Sequence, residues 1–233
     1  MTPLILIPGM MCDARMWGVI PAAIGREITH ILPTQSDTVQ TLATEILQTA
    51  PPRFALAGLS MGGIIAMEVL AQAPLRVTHM ALLDTNPRAE LPTIQADRTR
   101  QIARAQTDLA GVLRDEMKPN YLHPGPHKAA ILDLCMDMAL ALGPAVFARQ
   151  SNALKTRPDQ TQTHAAFKGP ALVLMGEHDK LCPRDRHDQM HALMPQSRLA
   201  IIPNAGHLPP LEQPQQTVAE LLRWLSLPER TAP

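Results

Sequence analysis

Gly58-Leu59-Ser60-Met61-Gly62 combines a hydroxyl with a glycine two positions to either side. That spacing suits a serine nucleophile on a sharp strand-to-helix turn. The turn holds serine in a strained backbone conformation, and side chains two positions away would collide. It pushes the hydroxyl out of the sheet and places the following helix N-terminus beneath a developing oxyanion. The bland alternative is a glycine-rich turn with an idle serine.

A serine hydroxyl attacks only when a base takes its proton. On such a scaffold the expected chain order is serine, acid, histidine. His207, in Asn204-Ala205-Gly206-His207, follows the last expected strand and is the candidate base. Asp179, in Gly176-Glu177-His178-Asp179, is the candidate acid that orients the imidazole, with Asp84 at the end of an earlier strand as the alternative acid. Acyl transfer also needs two N–H donors for the carbonyl oxygen that becomes charged. Met61, next after the nucleophile, supplies one. Met10, in the loop after the first strand, supplies the other, with Met11 as the alternative donor. Met10, Met11 and Met61 would also give the substrate pocket an apolar lining.

Positioning these groups requires strands that end on one side of a sheet. Apolar runs at Leu4–Ile7, Ile28–Leu32, Phe54–Ala57, Met80–Leu83, Ala171–Met175 and Arg198–Ile202 read as strands. Helical patterns fall between them, near 14–24, 36–49, 64–72, 184–193 and 213–225, with Asp13 a candidate cap for the first and Ser36-Asp37 opening the second. Alternation of this kind predicts a mostly parallel sheet of about six strands covered by helices on both faces. The rhythm breaks over residues 88–168, where only helical spacing recurs: Ile102, Leu109, Val112 and Leu113, then Ile131, Leu134, Cys135, Met138 and Leu142. This stretch is expected to be a helical lid inserted in a core formed by 1–87 and 169–233.

Composition narrows the function classes. The 233 residues carry 21 basic and 21 acidic side chains, so no net charge draws the chain to nucleic acid or to an anionic membrane. Three scattered cysteines, Cys12, Cys135 and Cys182, give no disulfide framework. The apolar start is too short for a signal sequence, and no run suggests a membrane span, so a cytoplasmic location is expected. His187 and His191 stand four apart with Asp188 between them, a spacing seen in zinc-binding helices. No third ligand is evident, and a solvated helix face explains them better. Arg98, Arg100, Arg104 and Arg149 read as solvated helix charges with a lesser possibility of meeting a substrate carboxylate.

Taken together, Leu6-Ile7-Pro8-Gly9-Met10, Gly58 to Gly63, Gly176 to Asp179 and Gly206-His207 resemble the α/β-hydrolase superfamily from residue 3 to about 226, apart from the insert. The chain is most similar to small bacterial members with a helical lid, among them carboxylesterases, 3-oxoadipate enol-lactonases and pimeloyl-carrier-protein methyl ester esterases. The resemblance implies an α/β-hydrolase fold and hydrolysis of a small-molecule ester or lactone through an acyl-enzyme, with no metal or organic cofactor. Relatives often carry His-Gly where this chain has Pro8-Gly9, and many begin with two further strands, so a shortened sheet is expected. Ser60 argues against dehalogenases and epoxide hydrolases of the superfamily, which use aspartate there. A non-enzymatic ligand receptor, an acyltransferase, a carbon–carbon bond hydrolase and a cofactor-free haloperoxidase stay open, because fold alone does not choose the chemistry.

Overall fold

The computed structural model describes residues 1–229; the last four residues of the expected core segment lie outside the described ones. Six strands, β1 (Leu4–Ile7), β2 (Ile28–His30), β3 (Phe54–Leu59), β4 (Val77–Leu83), β5 (Ala171–Gly176) and β6 (Arg198–Ile202), form one sheet in the order β2-β1-β3-β4-β5-β6. Every pairing is parallel. The four central strands are buried along their whole length, and only the edge strands β2 and β6 are partly exposed. This explains their composition: a strand covered on both faces reads as a continuous apolar run.

Alternate residues of each strand feed opposite layers. Ile5, Ile7, Leu56, Leu82 and Val173 join one core with helices α2 (Val39–Thr49) and α3 (Met61–Gln72). Leu4, Leu6, Ala57, Leu172 and Leu174 join the other with α1 (Ile20–Ile24) and the C-terminal helix Pro214–Leu225, through Ile20, Leu221 and Trp224. The period of two along a strand therefore produces two cores from one sheet.

Helix boundaries depart from expectation where a polar cap competes. Asp13 does cap, but it caps a 3-10 turn at Ala14–Trp17 by accepting the Arg15 N–H, and α1 starts only at Ile20. Thr38, rather than Ser36 or Asp37, caps α2 by accepting the Thr41 N–H.

Between β4 and β5 every regular element is helical among the described residues: α4 (Pro92–Gly111), a π-helical turn at Val112–Met117, a 3-10 turn at Lys118–Asn120, α5 (Lys128–Lys155) and α6 (Thr161–Ala166). By length and composition the 28-residue α5 is apolar enough to cross a membrane, contrary to the sequence reading. Gly143 interrupts it at φ 81°, before Pro144, and it lends Ile131 and Met138 to one core and Phe147 and Leu154 to the other. The segment reaches the sheet's carboxyl ends through several contacts, among them Gln150 Oε1 accepting the Met11 N–H at 2.8 Å and the Tyr121 carbonyl accepting the His207 N–H at 2.6 Å.

Candidate active site

Ser60 sits between β3 and α3 at φ 54°, ψ −117°. L-residues rarely adopt positive φ, so the surroundings must enforce it. Here the Leu83 carbonyl accepts the Ser60 N–H at 2.9 Å, and the Thr85 hydroxyl donates to the Ser60 carbonyl at 2.7 Å. A Cβ on Gly58 would overlap the Gly62 carbonyl, and one on Gly62 would overlap the Ile7 carbonyl. Both glycines of the motif are thus required by close backbone approach. Thr85 carries no motif of its own and was not legible as a support.

β5 and β6 deliver the next two side chains. Asp179 follows β5 and His207 follows β6; their loops are bonded, with the His178 N–H donated to the Ala205 carbonyl at 2.9 Å. His207 Nδ1 lies 2.9 Å from Asp179 Oδ2 and 3.0 Å from Oδ1. Asp179 Oδ1 also accepts the Leu181 and Cys182 amides at 2.8 and 3.1 Å. Burial works to raise the Asp179 carboxyl, but the nearby His207 and these donors outweigh it and hold it below the ordinary carboxylate range.

Asp84 does not reach His207. It is fully buried at the end of β4, at φ 44°, and its Oδ1 accepts the Gly176 N–H at 2.8 Å. Burial, reinforced by the charge of Asp179, pushes its carboxyl well above the ordinary value. The alternative acid is therefore a tie between strand ends.

A second feature escaped the sequence. Glu212, in the short helix Pro209–Glu212, accepts the Gly206 N–H with Oε2 at 2.9 Å and the Leu208 N–H with Oε1 at 2.9 Å. Its Oε2 also accepts the His123 N–H at 2.8 Å. One carboxylate thus clamps the backbone on both sides of His207 and ties it to the helical segment.

Ser60 and His207 both face a cavity of about 500 Å³, which Met10 and Met61 also line. A hydrogen bond between the Ser60 hydroxyl and His207 is not among the contacts the described residues form. Met61 opens α3, where a backbone N–H has no intrahelical acceptor. Met11 differs from expectation on both counts. Its amide is taken by Gln150, and its buried side chain packs in the core rather than lining the cavity. The first loop turns away after Met10, with Met11 at φ 56°.

Other expected residues fall away from this cluster. His187 is buried on the helix Arg184–Leu193, not solvated; burial depresses it to about 4. His191 Nδ1 meets the Ser197 hydroxyl at 2.8 Å, and Asp188 pairs with Arg184, so the three do not assemble a metal site. Cys12 and Cys182 line the cavity, and burial raises both thiols well above their ordinary value. Arg100 is exposed and Arg104 half-buried, both paired with Glu116, and Arg149 donates to the Thr34 carbonyl. Arg98 is the exception among the arginines: it lines the cavity with its side chain 17% exposed.

With this geometry, the comparison with known proteins decides the lineage. The profile of the α/β hydrolase family matches residues 4–221. The chain belongs to the α/β hydrolase family. This hydrolase is 26% identical over 207 residues to a pimeloyl-[acyl-carrier protein] methyl ester esterase of Nitrosomonas europaea, covering 78% of this chain and 75% of that one. Among solved structures it is similar to a thermophilic esterase from Thermogutta terrifontis, with TM-score 0.87, 26% identity and coverage of 97% of this chain and 89% of that one. An enol-lactonase from Burkholderia xenovorans shares the fold at TM-score 0.85 and 19% identity, over 97% and 92% of the two chains.

Proposed function

We propose that this hydrolase cleaves a small carboxylic ester or lactone through an acyl-enzyme on Ser60. The observation that carries the reading is the pairing of His207 Nδ1 with Asp179 on the wall of the cavity that Ser60 also faces. With Nδ1 donating to Asp179, Nε2 is left as the proton acceptor.

In this mechanism His207 takes the Ser60 proton as Oγ attacks the carbonyl carbon, and the carbonyl electron pair moves to oxygen. The Met10 and Met61 N–H groups hold that oxyanion. The contact between Ser60 and His207 closes as substrate binds, since such bonds tighten in the reacting complex. Collapse of the tetrahedral adduct expels the alkoxide, which receives the proton from His207. Water then repeats the sequence on the acyl-enzyme and frees the acid. The helices between β4 and β5 act as the lid, and residues on α4 contribute to the pocket.

A nitrophenyl ester tests the assignment. The wild type is expected to give a burst or steady release of nitrophenol, and Ser60→Ala to lose nearly all of it while keeping the wild-type melting curve. Full activity in Ser60→Ala would remove Ser60 from the reaction. Absence of turnover in the wild type across an ester and lactone panel would favour a ligand-binding role for the cavity.

A further inference from the structure

We propose that the cavity is built for an ester or lactone that carries a second, free carboxylate on its acyl side, with Arg98 as the anchor. The proposal rests on the ester-cleaving reading above for the reacting end of the substrate, but it concerns a separate part of the cavity.

The geometry of Arg98 carries it. Nε donates to Glu90 Oε2 at 2.8 Å, and Nη2 lies 2.8 Å from the same oxygen as an ion pair. Among the described residues, Nη1 meets only the Met10 thioether, at 3.9 Å. A thioether is a weak acceptor, so among the described residues Nη1 of this cavity-lining arginine lacks the oxygen partner a guanidinium normally finds.

Charge counting points the same way. Glu90 is shared: Arg157 binds it with both terminal nitrogens, at 2.7 and 3.0 Å. Two guanidinium groups therefore face one carboxylate, and the side chains of Arg157 and Glu90 are only 5% and 7% exposed. Excess charge this poorly hydrated is costly unless an opposite charge completes it. Arg88 and Arg186, which both reach Asp185, also line the cavity. The lining acids Asp97 and Glu116 sit instead in a separate ion-pair network with Arg100 and, for Glu116, Arg104.

Arg98 meets the side chain of Met10, whose N–H is the proposed oxyanion donor, so a single methionine side chain separates the anchor from the reacting carbonyl. A short-chain diacid esterified at one end fits that span. A carboxylate would supply both the oxygen acceptor that Nη1 lacks and the negative charge that two guanidinium groups sharing one carboxylate call for.

The test compares monoethyl glutarate with its neutral isostere ethyl glutaramate, following acid release. The wild type is expected to prefer the anionic ester, and Arg98→Gln to lower the ratio of the two kcat/KM values about tenfold or more, the scale of a charge-assisted hydrogen bond. Arg98→Lys should keep part of the preference. Because both substrates are read in one preparation, loss of folded protein cancels from the ratio. Equal rates on the two esters, with a ratio that Arg98→Gln does not move, would overturn the anchor and leave ester hydrolysis standing. Should neither ester react, calorimetry with glutarate decides: binding to the wild type that Arg98→Gln abolishes upholds the anchor, and no binding overturns it.

Discussion

Asp84 Oδ1 accepts the backbone N–H of Gly176 at 2.8 Å and so ties the end of β4 to the end of β5, the strand whose loop carries Asp179. Two carboxyl groups thereby occupy neighbouring strand ends with different duties: one is paired with His207 and held below the ordinary carboxylate range, the other accepts a backbone amide and is raised above it.

Substituting the two should separate those duties. Asp179→Asn is expected to lower kcat/KM about a thousandfold or more, because an amide cannot hold the imidazolium or fix its tautomer. Asp84→Asn, which keeps an oxygen for Gly176, should cost far less. The Asp84 carboxyl is raised in the fold, so a proton stays bound there that the unfolded chain releases, and the wild type loses stability as pH rises above the ordinary carboxylate range. Asp84→Asn lacks this loss, and its stability relative to the wild type should improve from pH 4 to pH 7 in urea titrations. Activity falling further in Asp84→Asn than in Asp179→Asn would move the catalytic acid to Asp84.

Glu212 supports His207 through backbone alone. Glu212→Ala leaves the Gly206, Leu208 and His123 amides without their acceptor, each worth about 1–3 kcal/mol when buried. We expect a lower kcat at nearly unchanged KM, together with faster hydrogen exchange at the Gly206 and Leu208 amides. Wild-type exchange at these two positions would show that the loop holds itself.

His187 should set part of the acid limit of stability. Burial holds it neutral down to about 4, whereas the unfolded chain takes up the proton near the ordinary 6.5. Stability from this residue is complete above 6.5 and declines as pH falls toward 4, by about 1.4 kcal/mol per pH unit. His187→Gln should show a shallower fall between pH 6.5 and 5 in denaturant midpoints; an identical slope would assign the acid sensitivity elsewhere.

Much of the scaffold was legible because it depends on local rules. The apolar runs of β1, β3 and β5 and the turn glycines Gly58 and Gly62 report burial and close approach directly. Boundaries were less so, since Asp13 and Thr38 decide where helices start through side-chain bonds that compete with nearby alternatives. Tyr121 and Glu212 were invisible: each serves His207 from a distant or separately folded element, through a carbonyl or carboxylate that no spacing pattern marks. Met11 and His187 were misread because a residue's side of the backbone at a turn, or face of a short polar helix, depends on what packs against it.

The order and spacing of the residues settled the fold class, the six strands and the serine-bearing turn, because each follows from covalent neighbours and from apolar periodicity, whereas strand limits such as β2 ending at His30 and β3 at Leu59 were not so settled. Only the assembled molecule decided that Asp179 rather than Asp84 meets His207, and that Arg98 lines the cavity rather than facing water. Those outcomes are set by distances between segments tens of residues apart, and such distances exist only once the sheet has brought its strand ends together.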